Sequence, residues 1–81
     1  MQTNSNNTKR AVVWSQANCL ACNQAKTLLD IKGISYEVKM LGVDATKQEL
    51  LEAVPDARSV PQIFLDGEYV GGLDALRKIV G

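Results

Sequence analysis

The sequence predicts an α/β domain in which a small four-stranded mixed sheet is flanked by helices, in the order β-α-β-α-β-β-α. Three observations lead there. An apolar run, Ala11-Val12-Val13-Trp14, hands over through Cys19-Leu20-Ala21-Cys22 to a stretch of helical periodicity. A second strand pattern follows closely enough to close a right-handed βαβ unit. Further on, Gln62-Ile63-Phe64-Leu65, Asp66-Gly67 and Glu68-Tyr69-Val70 spell a hairpin with an Asp-Gly turn.

Each element has a local reason. Residues 1–8 are polar and Asn-rich; with nothing to bury, they are expected to form a mobile tail ahead of a single domain over 9–81. They also lack the apolar stretch of a signal peptide. Strand one is expected over Arg10 to Ser15, and its consecutive apolar residues suit a central strand covered on both faces. Residues 15–18 form the loop that presents Cys19. The first helix runs to about Lys32 and stops at Gly33. Ala21, Cys22, Ala25, Leu28 and Leu29 share its apolar arc, and Cys19 lies outside that arc. Residues 34–40 alternate as a strand, with Ile34, Tyr36, Val38 and Met40 on one side.

Thr46 and Glu49 have capping-box spacing at the start of the second helix. Leu50, Leu51 and Val54 form its apolar stripe, and Pro55 ends it. Residues 57–61 connect to the hairpin, with Val60 held extended by Pro61. Gly71-Gly72 opens a last helix from Leu73 to Val80, with Leu73, Leu76, Ile79 and Val80 expected inward.

Composition narrows the function. The chain has 81 residues, 46% of them hydrophobic and 22% charged, which suits one globular domain near the lower size limit for a single core. Its net charge of 0 lacks the footprint of a nucleic-acid binder. No apolar run reaches transmembrane length. Two cysteines in a chain without a signal sequence belong in a reducing cytoplasm, where a C-x-x-C pair is more often catalytic than structural.

The pair itself points to redox chemistry. Unpaired N–H groups and the helix dipole at a helix N-terminus favour a thiolate, and the thiolate is the form that attacks a disulfide. Cys19 is the expected nucleophile. Cys22, on the apolar arc, is the expected resolving thiol. A zinc site needs about four ligands, and the chain offers two Cys and no His. A structural disulfide across so small a loop would constrain the unfolded chain little.

The element order, the C-x-x-C after strand one and a proline opening the third strand resemble the thioredoxin fold. Three matches, Cys19-x-x-Cys22, Ser59-Val60-Pro61-Gln62 and Gly71-Gly72-Leu73-Asp74, make the chain similar to the glutaredoxins, the short bacterial and phage type above all, from Arg10 to Val80. The resemblance implies a glutathione-dependent dithiol–disulfide oxidoreductase. It implies that Pro61 is cis beside the dithiol and that the backbone of Val60 pairs with the cysteinyl part of glutathione, as in strand addition. It further implies that Gly72, Leu73 and Asp74 bind the γ-glutamyl end, Asp74 pairing its ammonium, and that Arg58 and Gln48 reach the glycine carboxylate.

The chain departs from the family at two places. Leu20-Ala21 stands where members commonly carry Pro-Tyr, and Gln16 where a lysine is common. The resemblance still makes glutathione the expected co-substrate, with disulfide-containing proteins as partners of a monomer and no resident metal. Two alternatives remain. One is a donor to ribonucleotide reductase recharged by thioredoxin reductase. The other is a dimer bridged by an iron–sulfur cluster held by Cys19 of each chain and two glutathiones, kept open by the missing proline after Cys19.

Overall fold

The computed structural model describes residues 10–81, so the expected polar tail lies outside the described residues. The elements are β1 (Arg10–Ser15), α1 (Leu20–Ile31), β2 (Ser35–Met40), α2 (Lys47–Ala53), β3 (Gln62–Leu65), β4 (Glu68–Gly71) and α3 (Leu73–Val80). This is the predicted order. The strands form one sheet in the order β2-β1-β3-β4. β1 runs parallel to β2 and antiparallel to β3, and β3 is antiparallel to β4.

The apolar run of β1 works as a central strand must. Alternate side chains leave it on opposite faces. Ala11 and Val13 join Ile63 and Leu65 of β3, Ala25 and Leu29 of α1, and Leu76 of α3 in one buried cluster. Val12 and Trp14 face the other way, toward Leu50 and Val54 at α2 and Phe64 of β3. Thus α1 and α3 cover one face and α2 the other. Leu29, Ile63 and Leu76 are among the largest fully buried side chains, each contributing about 1.5–3 kcal/mol by burial.

The local signals hold in detail. Asp66 has φ 53° and Gly67 φ 84°, the two positive values that a type I′ hairpin turn requires. Asp66 also extends the β1–β3 pairing: its N–H donates to the Arg10 carbonyl at 2.8 Å, and its Oδ1 accepts from the Arg10 N–H at 3.0 Å. The capping box at α2 is complete, with the Glu49 N–H donating to Thr46 Oγ1 at 3.0 Å and the Thr46 N–H to Glu49 Oε1 at 2.8 Å.

Two inward assignments are corrected. Ile79 of α3 is 56% exposed, because in so short a helix it sits at the edge of the arc defined by Leu73, Leu76 and Val80. Leu51 is exposed as well. α2 spans only Lys47–Ala53, and Leu50 with Val54 fills the space against the sheet. Helix α1 begins at Leu20, which makes Cys19 its N-cap.

Candidate functional site

The site is built where β1 ends and α1 begins. Asn18, at φ 57°, turns the chain in the left-handed region, and Cys19 follows in extended conformation, φ −118° and ψ 103°. From that N-cap position the Cys19 sulfur accepts the N–H of Cys22 at 3.1 Å. Sulfur here does what a serine or aspartate oxygen does at other helix starts. Cys22, three residues on, falls on the buried face of α1 with Ala25 and Leu29 and is fully buried, while Cys19 is half-exposed. The two sulfurs are joined in a disulfide with Cα atoms 5.2 Å apart. The asymmetry expected of nucleophile and resolving thiol is present.

A second element reaches the pair from 41 residues away. The Val60–Pro61 peptide is cis, Pro61 is buried, and the Val60 carbonyl oxygen lies 3.8 Å from Cys19 Sγ. That contact is a hydrogen bond only when Cys19 is a protonated thiol. Val60 itself is half-buried at the wall of a groove of about 360 Å³. Gln16, Leu50 and Ala57 also line it, and among the described residues its charged side chains are the cations Lys47 and Arg58. Among the described residues neither cation is in an ion pair.

The Gly71-Gly72 segment meets the same region. Gly71 has φ 127°, and a Cβ on it would lie 3.0 Å from Ala75 Cβ; a Cβ on Gly72 would lie 3.5 Å from the Pro61 carbonyl oxygen. Only glycine suits the first position. The second stands in ordinary contact distance of the cis-proline. Gly72 is also the N-cap of α3, with no side chain to satisfy the first N–H groups. Leu73 packs inward and Asp74 projects outward from the first turn, its carboxylate 3.5 Å from Arg77 Nη1 and its side chain 92% exposed.

The fold therefore brings Cys19, Cys22, Val60, Pro61 and Gly72 to one end of the sheet, with Arg58 in the adjoining groove. Gln48 does not line that groove but a shallow depression bordering it, with Lys47, Leu51 and Glu52. Lys47, its neighbour, lines both. Sequence reasoning missed Lys47, and it missed a hydrogen-bonded chain behind Val60. There, Tyr69 Oη donates to Gln62 Oε1 at 2.6 Å, and Gln62 Nε2 donates to the Ser59 carbonyl at 2.8 Å. Trp14 is buried on the α2 face, under the Lys39 ammonium at 5.4 Å.

Comparison with known proteins agrees with this geometry. The glutaredoxin family model matches residues 11–70. Glutaredoxin 3 of Escherichia coli strain K12 is 34% identical over 64 residues, covering 79% of this chain and 77% of the relative. The hybrid peroxiredoxin hyPrx5 of Haemophilus influenzae is 41% identical over 66 residues, 82% of this chain, although the chain spans only 27% of that protein's length. Among solved structures, the buckwheat glutaredoxin–glutathione complex has a TM-score of 0.73 at 31% identity, over 86% of this chain and 66% of that one. Glutaredoxin 1 from Francisella tularensis, complexed with cacodylate, shares the fold at a TM-score of 0.75 and 20% identity, over 88% and 91%. With its dithiol at the start of α1 and a family match across most of its length, the chain belongs to the glutaredoxins, a family of thiol–disulfide oxidoreductases.

Proposed function

We propose that the chain uses glutathione to reduce protein disulfides and glutathione mixed disulfides in a reducing cytoplasm. The observation that carries this reading is the half-exposed Cys19 sulfur at the N-cap of α1, beside the Val60 backbone and above a buried Cys22. Cys19 thiolate attacks one sulfur of the substrate disulfide, and the other leaves as a thiolate that takes up a proton. Cys22 thiolate then attacks the Cys19 sulfur of the mixed disulfide, releases the second substrate thiol and closes the Cys19–Cys22 disulfide. Two glutathiones reopen it and leave as glutathione disulfide.

The surroundings support glutathione as the co-substrate. An extended cysteinyl peptide laid along Val60 would place its sulfur next to Cys19. One end would enter the groove lined by the cations Lys47 and Arg58, which suits a carboxylate. The other end would lie toward Gly72 and the N–H groups at the start of α3, with Asp74 available to an ammonium. The buckwheat relative in complex with glutathione supports the same ligand. The similarity to a hybrid peroxiredoxin supports an oxidised peroxidase as one class of protein partner.

The test is to couple turnover of a small mixed disulfide either to glutathione with glutathione reductase or to thioredoxin reductase. The glutathione route is expected to dominate. Faster turnover with thioredoxin reductase would overturn the assignment and favour a donor of the thioredoxin kind, such as one serving ribonucleotide reductase.

A further inference from the structure

The hydrogen-bonded chain behind Val60 has no part in the reaction as described, and it puts an amide where an apolar side chain would fit. Gln62 is 8% exposed and pairs with Trp14 across the β1–β3 ladder. An apolar side chain there would bury without needing partners, whereas an amide must be bonded on both ends. Both ends are bonded. Its oxygen takes the Tyr69 hydroxyl at 2.6 Å and its nitrogen reaches the Ser59 carbonyl at 2.8 Å. Neither outer partner needs that bond for itself, because Tyr69 is 52% exposed and Ser59 is exposed, so water would serve each.

What the chain of bonds accomplishes is a brace. It ties β4 through β3 to the residue just ahead of Val60. The Tyr69 ring is fixed in turn against Phe64, with centroids 5.4 Å apart. β4 carries an irregularity at this point: Ile63 pairs with Gly71 but Phe64 with Tyr69, which leaves Val70 as an extra residue. Bulges of this kind re-aim side chains.

We infer that Gln62 and Tyr69 are positioning residues, holding the Ser59–Val60 segment at the height over Cys19 where an extended cysteinyl substrate pairs with it. The inference rests on the glutathione reading above. Strand addition requires the receiving peptide to be fixed before the substrate arrives, because ordering it afterwards subtracts from affinity. Neither side chain touches the sulfur, so the chemistry of Cys19 is not altered by their loss.

The experiment compares wild type, Tyr69→Phe, Gln62→Met and the double variant. KM and kcat are measured with glutathione and a short cysteine peptide in mixed disulfide with glutathione. Alkylation of Cys19 by iodoacetamide is followed in a Cys22→Ser background, and thermal midpoints are recorded for all. Tyr69→Phe is expected to raise KM about two- to tenfold, the loss of one hydrogen bond. Gln62→Met should raise it at least as much, and the double variant no further, since Tyr69 acts through Gln62. Alkylation should stay at the wild-type rate, because a small reagent needs no strand partner. Lower midpoints with unchanged KM would overturn the inference and leave a brace of stability only. KM effects that multiply in the double variant, or alkylation that slows with them, would overturn it too. Wild type that fails to turn over with glutathione would instead sink the glutathione reading, and the inference with it, before any variant is compared.

Discussion

The groove beside Val60 permits a prediction whose size can be worked out. Lys47 and Arg58 are both exposed side chains, and among the described residues neither has an ion-pair partner and no carboxylate lines the groove with them. A carboxylate entering it gains two exposed charge contacts, each worth about 0.4–1 kcal/mol in water. Lys47→Ala and Arg58→Ala should therefore each raise KM for glutathione about two- to fivefold, and the double variant about tenfold if the contacts are independent. The assay is steady-state reduction of a small disulfide with glutathione or with its glycyl ethyl ester as the reductant. The ester, lacking the carboxylate, should already show the higher KM with wild type and should not respond to either substitution. Raising the salt concentration should weaken wild type toward the variants, because exposed charges are screened. Equal losses with glutathione and with the ester would refute the reasoning, for then the two cations act on something other than the carboxylate.

The remaining predictions concern the dithiol and the fold. Cys22→Ser should retain reduction of glutathione mixed disulfides, which needs Cys19 alone, whereas Cys19→Ser should be inactive; equal loss in both would reverse the assignment of roles. Ser15 Oγ is buried with no hydrogen-bond partner among the described residues, so Ser15→Ala should stabilise by about 1 kcal/mol and raise the thermal midpoint; a lower midpoint would show that the hydroxyl is bonded. Gly71→Ala meets a φ of 127° and a 3.0 Å approach to Ala75 and should cost about 1–3 kcal/mol, while Gly72→Ala should leave denaturant stability nearly unchanged. Burial, reinforced by the negative charge and hydrogen bond of Asp30, raises the Tyr36 pKa above 10.0. The folded state therefore holds that proton more tightly than the unfolded chain. Stability from it is present below pH 10 and is lost as pH climbs through the raised value, so wild type should lose stability more steeply than Tyr36→Phe in urea melts over this alkaline range.

How far the sequence could be read depended on the range of each interaction. Thr46 with Glu49, Asp66 with Gly67, and Cys19 with Cys22 are decided within four residues, and each is found as local chemistry requires. Ile79 and Leu51 lie at the margins of apolar arcs on helices of 8 and 7 residues, where a small rotation of the helix decides exposure and periodicity does not. Gln48 and Lys47 are adjacent and therefore point about 100° apart. Which of them faces a segment ten residues further on depends on how α2 sits on the sheet. The bond from Tyr69 to Gln62 needs the hairpin register, including its extra residue, to be known first.

The dithiol was legible for a reason deeper than motif matching. A spacing of three puts Cys19 at the N-cap and Cys22 at the third helical position, the same two places joined by a capping box. The Cys22 N–H thus lands on the Cys19 sulfur at 3.1 Å while the disulfide is still closed. A thiolate formed on reduction finds its donor already in place, and the helix dipole is oriented toward it. That arrangement stands without any charge from Gln16, which is exposed on the loop ahead of Cys19. Serine at position 19 would keep the cap and lose the nucleophile. An inactive but fully folded Cys19→Ser protein is therefore the outcome that separates the structural use of this residue from its chemical one.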